Sequence, residues 1–303
     1  MRKYLLPILL IGFWGCEDEL KKDCAGVAGG SAVLDNCNQC VEGDTGLTAC
    51  TEDCNGDLNG DAYINQCDIC VGGNTDMDIA HCDPITDIDG NVYQTIIIGE
   101  QVWMMENLKV TKYRDGTSIN DGSAYSNATW SNLTSGAYSF YGQDTTYANT
   151  YGLLYNWYAV DDDRKISPIG WHVPTHDEWT TLERYICSEL GGYSNCDEEF
   201  TYDAWSDNEC MGNNEGEKMK AMDSTWLGSL QSTNESNFSA LPGGLRADDY
   251  SEGTGYTANF YTSTKTGFHA DLIWHRTLKW SESKVCRDYV QKMYALSVRC
   301  IKD

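Results

Sequence analysis

The sequence predicts an α+β domain preceded by a small disulfide-rich repeat region. Three observations carry that reading: a capped amphipathic helix at mid-chain, strand-like runs on both sides of it, and a gapless Cys-rich repeat ahead of them. The helix is written in PIGWHVPTHDEWTTLERYI (168–186). Thr175 can be its N-cap with Glu178 three residues on, the reciprocal pair that satisfies orphan amides at a helix start. Pro174 keeps the chain extended before the cap, and Trp179, Leu182 and Ile186 then recur on one helical face until Gly191 and Gly192 close it. With 303 residues and 41% hydrophobic composition, the chain can bury a core.

Taken in order, the N-terminus reads as an export signal. Arg2 and Lys3 precede an apolar run over 4–14 that ends at Gly15-Cys16. Eleven residues are too few to cross a bilayer as a helix. The run resembles a bacterial lipoprotein signal, with Phe13 and Trp14 where that motif usually has Leu and a small residue. The expectation is a signal peptide over 1–15, lipidation of Cys16, and an acidic tether over 16–23. Glu17, Asp18 and Glu19 resemble the surface-export signal of some Gram-negative lipoproteins, with a solvated linker as the alternative. This places the protein at the outer membrane or cell surface, held to the membrane by lipid. Fourteen cysteines agree with an oxidising location.

Residues 23–45 and 53–75 align without gaps at an offset of thirty, each with the spacing C-x12-C-x2-C and a further Cys downstream. We read 24–52 and 53–84 as two stapled repeats whose disulfides join Cys24, Cys37, Cys40 and Cys50, and Cys54, Cys67, Cys70 and Cys82. Four cysteines allow three pairings, and spacing does not choose among them. Zinc at the two C-x2-C pairs would leave four cysteines unexplained in an oxidising place. From residue 23 to 108 there is no Lys or Arg, so carboxylates here need hydrogen bonds, solvent or metal ions. Asp57, Asn59, Asp61, Asn65 and Asp68 are spaced much as in a calcium loop, although Ala62 replaces the usual Gly. The first copy has Val27, Gly29 and Ser31 at matching positions, so no cofactor is required; calcium is the candidate ion, and Asx turns are the alternative.

After Pro84 the texture changes, and residues 85–303 read as one domain. Residues 92–108 form a hairpin turning at Gly99-Glu100. YGLLYNWYAV (151–160) reads as a buried helix or irregular core segment, and 196–217 as a long polar surface loop. FSALPGGLR (238–246) enters a turn, and 258–264, 273–280 and 293–300 are strand-like.

Five ordered blocks, IDGNVYQTIIIGEQVWMMENLKV, YGLLYNWYAV, PIGWHVPTHDEW, FSALPGGLR and YALSVRC, resemble the Fibrobacter succinogenes major paralogous domain. The resemblance implies a fold similar to C-type lectin-like domains and to formylglycine-generating sulfatase-modifying proteins, on a lipoprotein or secreted carrier, with no assigned biochemical function. Members often carry a Cys where this chain has Ser167, suited to pairing with the terminal Val-Arg-Cys. Cys300 is therefore expected to pair with Cys286 or to stay free, and Cys187 to pair with Cys196 or Cys210, leaving one thiol.

Little points to catalysis. Cys286 and Cys300 lie too far apart in sequence for the redox pair of the formylglycine-generating relatives. His172 and His176 straddle Pro174 and do not share a helical face, and a structural role is expected for them and for His269 and His275. No nucleophile elbow, phosphate loop or dinucleotide fingerprint occurs. A net charge of -25 disfavours nucleic acid. Nineteen Tyr and ten Trp favour a non-catalytic binding or adhesion surface for polysaccharide or a surface protein, with Tyr250, Tyr256, Trp274 and Trp280 as ligand-facing candidates. The alternatives are a structural envelope protein without a ligand and a divergent formylglycine-generating-type enzyme.

Overall fold

The computed structural model describes residues 20–303 apart from 66, 79, 80, 142, 143, 203–208, 224, 229–231 and 248–250. Residues 1–15 and Cys16 therefore lie outside the described residues. Two compact units emerge: one holds the chain up to Tyr63 with Gly72–Asp76, the other Ile64–Val71 with Met77–Asp303.

In the small unit, carboxylates replace a core. Asp23 accepts the amides of Ala25 and Val27 on one oxygen, at 3.0 and 2.9 Å, and of Ala32 on the other at 3.1 Å. Asp35 accepts from Cys37 and Gln39 and, with its second oxygen, from Cys50. Asp35 lies in the connection of a hairpin formed by β1 (Val33–Leu34) and β2 (Cys40–Val41). Asp53 repeats the arrangement with Asn55, Asp57 and Ala62. Amide donors hold the Asp23 and Asp35 carboxyls below their ordinary range, chiefly Val27 for the first and Cys50 for the second. Gly30 and Gly60 are required there, since a Cβ at either would stand 2.0 Å from an oxygen of Asp23 or Asp53. The disulfides resolve the pairing in the first copy as Cys24–Cys40 and Cys37–Cys50. Cys54 and Cys70 are also disulfide-bonded, and Cys67 joins Cys82.

The second copy repeats the short strands, β3 (Tyr63–Ile64) and β4 (Cys70–Val71). The large unit is mixed α+β and dominated by sheet. Its first sheet begins with β5 (His81–Thr86), which runs across the composition change at Pro84, then β6 (Val92–Ile98) and β7 (Gln101–Met104). The predicted hairpin forms, turning at Gly99 with φ +65° and pairing Ile98 with Gln101. A second, ten-stranded sheet gathers β8 (Asn120–Asp121), β9 (Ala137–Ser139), β10 (Leu154–Asn156), β12 (Glu209–Met211), β13 (Gly243–Arg246), β14 (Ser251–Thr254), β15 (Thr257–Lys265), β16 (Leu272–Lys279), β17 (Val285–Gln291) and β18 (Ala295–Ser297). The chain then returns to the first sheet: β19 (Ile301–Lys302) lies between β7 and β11 (Trp171–His172).

The helices are short: α1 (Asn127–Ser131), α2 (Tyr147–Tyr151), α3 (Trp157–Val160), α4 (His176–Tyr185), α5 (Cys196–Glu199) and α6 (Glu215–Met219). The expected capping box on α4 is present in both directions. Trp179, Leu182 and Ile186 are fully buried. Trp179 meets Trp103 of β7 at 5.1 Å and Phe260 of β15 at 5.5 Å, so this helix joins the two sheets. Residues 151–160 differ from the expectation: they are strand β10 running into α3, because the Asn156 side chain accepts from Ala159 and caps the helix there. Residues 196–217 are not merely a surface loop, since Cys196 and Phe200 are buried in a small cluster with Cys187. Cys187 pairs with Cys196 as expected, but Cys286 does not pair with Cys300: it faces Cys210 across β12 and β17 and is bonded to it. Cys300 is free and buried, and burial pushes its thiol pKa up. Ser167 instead meets Arg114, whose guanidinium donates to its carbonyl at 2.7 Å and its hydroxyl at 2.9 Å.

Candidate functional site

Two of the four aromatic residues expected at a ligand surface come together. Tyr256 immediately precedes β15 and Trp280 immediately follows β16, so they extend the ladder that pairs Thr257 with Lys279. The Trp280 amide donates to the Tyr256 carbonyl at 2.7 Å, and the rings meet edge to face at 6.0 Å. The two residues remain 45% and 39% exposed. Leu227, also exposed, donates its amide to the Gly255 carbonyl at 2.8 Å and adds an apolar border. Gly228 lies against the indole, where a Cβ would stand 3.4 Å from the ring. The result is an open aromatic shelf fixed by backbone hydrogen bonds to a sheet end.

Trp274, expected at the same surface, is buried. It packs at a tilt against His176 at 4.9 Å and edge to face against Tyr289 at 6.2 Å, because its position in β16 turns the indole inward. Tyr250 lies outside the described residues. A polar cleft of about 460 Å³ also occurs in the large unit, lined by Tyr113, Asn120, Ser135, Tyr158, Asp162 and Arg164 among others. Arg164 stacks over Tyr113 at 3.9 Å and grips Asp162 with two hydrogen bonds of 2.8 and 2.7 Å. Those charges are largely spent on each other.

The candidate calcium residues are each engaged differently. Asp57 accepts from the side-chain amides of Asn55 and Asn74, and Asn65 accepts the backbone amides of Cys67 and Ile69. Asn59 and Asp68 occupy left-handed turn positions at φ +54° and +61°, and Asp61 is exposed. Among the described residues, the three His, Cys, Asp or Glu side chains that come close enough to share one ion are Asp35, Cys37 and Cys50, where the two sulfurs are already joined.

Two histidines make structural contacts. His176 is buried with its Nδ1 3.2 Å from Arg276, and burial together with the Arg276 and Arg287 charges pushes its pKa down to about 2. His172 bridges Glu178 at 2.8 Å and Asp303 at 2.7 Å, fastening the chain end to the cap of α4. The Glu178 hydrogen bond, opposed by burial and helped by Asp303, raises the His172 pKa above its ordinary 6.5. A raised folded pKa means the added stability is complete below the unfolded value and is lost as pH rises through the folded one. The thermal midpoint difference between wild type and His172→Ala is therefore expected to be largest near about pH 6 and to shrink toward about pH 9. A difference that does not vary with pH would remove the charge pairing from this account.

A sheet-dominated α+β domain, placed after a disulfide-rich region and carrying an open aromatic shelf, is the class of protein these features define. The chain belongs to the family described as the Fibrobacter succinogenes major domain, which matches residues 96–302. No curated protein and no solved structure matches it.

Proposed function

We propose that this protein is a surface lipoprotein anchored through acylated Cys16, whose lectin-like domain binds polysaccharide without catalysis. The observation that carries the reading is the Tyr256–Trp280 shelf: two aromatic rings left open at a sheet end and fixed by backbone hydrogen bonds. Flat aromatic faces stack on the apolar faces of sugar rings, and a preordered pair loses little entropy on binding. The stapled repeats serve in this reading as a spacer between the lipid and the domain.

Retention on insoluble polysaccharides, compared between wild type and the Tyr256→Ala/Trp280→Ala double variant, tests the site. Stacked aromatic contacts contribute on the order of 1 kcal/mol each, so affinity is expected to fall at least about tenfold. The thermal midpoint should barely move, because neither ring is buried. Equal retention of the two proteins, or none by wild type on any glycan, overturns the reading. The anchor has its own control: palmitate should label wild type and leave Cys16→Ala unlabelled.

A further inference from the structure

The first residue of α6 is a buried carboxylate that, among the described residues, no basic side chain pairs with. Glu215 is fully buried. Its Oε2 accepts the Asn213 amide at 2.6 Å, whereas Oε1 is enclosed and makes no hydrogen bond among the described residues. Beside it, Oδ1 of Asn214 is enclosed and unpartnered in the same way. Glu199 reaches the same turn from α5, where its Oε1 accepts the Gly212 amide at 2.7 Å. Among the described residues, no Lys, Arg or His forms an ion pair with Glu199 or Glu215.

The turn is built around these oxygens. Gly212 sits at φ +85°, and a Cβ there would stand 2.1 Å from Oε2 of Glu215. The β16–β17 connection holds the other side: Ser283 donates its hydroxyl to the Asn213 carbonyl at 2.6 Å and accepts the Glu217 amide at 3.1 Å. Gly216 packs so closely that a Cβ would lie 2.3 Å from the Lys284 carbonyl. Hydrogen bonds to the amides of Gly212 and Asn213 thus bring two carboxylates to one turn, with Oε1 of Glu215 and Oδ1 of Asn214 left unpaired. A buried carboxylate beside a second carboxylate is costly unless a cation or a proton joins it. The available donors are all hard oxygens with neither sulfur nor imidazole, the set that suits calcium.

We propose that Glu215, Asn214 and Glu199 form a binding site for a hard divalent cation, calcium by donor type. Calcium titration calorimetry of the full chain, first stripped with a chelator, tests this. Wild type is expected to bind calcium and to gain thermal midpoint with it. Glu215→Gln should lose one site per chain, while Asp57→Asn/Asp61→Asn should keep it. Glu199→Gln, altering a half-buried group that need not disturb folding, should weaken that site at least about tenfold by removing one of its two charges. In chelator, Glu215→Gln should be no less stable than wild type, which separates a lost ligand from a damaged fold. If wild type shows no calcium-dependent heat or midpoint shift, or if Glu215→Gln and Glu199→Gln both retain the wild-type stoichiometry and affinity, the carboxyl is simply protonated and the site does not exist.

Discussion

Replacing Glu183 by Gln is expected to destabilise the large unit by about 3–5 kcal/mol, one of the largest effects of any single side chain here. Arg276 and Arg287 are directly opposite each other in the β16–β17 register, and both are fully buried. Two like charges in that position repel and are cut off from water. Glu183, projecting from α4 and also fully buried, receives both guanidiniums: Arg276 through its Nε, and Arg287 through Nη2 and, at 3.0 Å, Nε. The Thr201 carbonyl and the Thr180 hydroxyl take further Arg287 donors at 2.7 and 3.1 Å. Glutamine keeps the shape but removes the only negative charge on this pair among the described ion pairs. At roughly 2–4 °C per kcal/mol for a domain of this size, the thermal midpoint should fall by about 6–20 °C. Urea unfolding checks the free energy, and a loss under about 1 kcal/mol would show that the carboxylate charge is dispensable. Replacing all three residues by Met should cost less than Glu183→Gln alone, because no unpaired charge is then buried.

This cluster also explains which parts of the fold were readable in the chain. Capping chemistry is local, so Thr175 and Glu178 announced α4 by spacing alone, as Gly99 announced its hairpin. The repeat was legible for the same reason, since each copy closes over short distances. In contrast, VCRDYVQ does not alternate as a half-exposed strand should: Arg287 looks like surface until Glu183, more than 100 residues away, is placed beside it. Trp274 misled in the opposite sense, because its burial depends on His176 arriving from α4. Of the candidate shelf, the residue types were visible but their adjacency was not. Tyr256 and Trp280 meet because β15 and β16 pair in one register, a long-range fact that no window of sequence contains. The Glu215 turn was hidden by its own polarity: Asn and Gly read as loop, and burial of that loop by residues 283 and 284 is tertiary.

Cysteine pairing is where expectation and structure part, and it leads to the second large expected effect. Cys210 and Cys286 close a loop with a sequence separation of 76. On the chain-entropy account, a loop of that length corresponds to about 4.5 kcal/mol of stabilisation, so Cys210→Ala/Cys286→Ala should lower the unfolding free energy by up to roughly that amount. Cys300→Ala should behave differently, because that position holds only a buried thiol and loses one sulfur's packing, about 1–2 kcal/mol at most. Were Cys286 bonded to Cys300 instead, the two sets of variants would break the same bridge and their losses would be similar. Peptide mapping of the unreduced protein gives the direct answer: a Cys210–Cys286 cross-linked peptide is expected, and a maleimide should reach Cys300 only after denaturant opens the core. A Cys286–Cys300 peptide, or rapid labelling of Cys300 in the native state, would restore the pairing expected from the sequence once Ser167 replaces the family's cysteine. The structural reason for the departure lies in the sheet. Register places Cys210 opposite Cys286 on neighbouring strands, whereas Cys300 sits where the chain leaves the large sheet for the small one, its carbonyl accepting the Met104 amide at 3.0 Å. Arg114 occupies the place beside Ser167 with four hydrogen bonds, to the Ser167 hydroxyl and to the carbonyls of Ser167, Pro168 and Trp171. Polar clamping of the 167–171 turn thus does the fastening that a bridge from that position would otherwise supply.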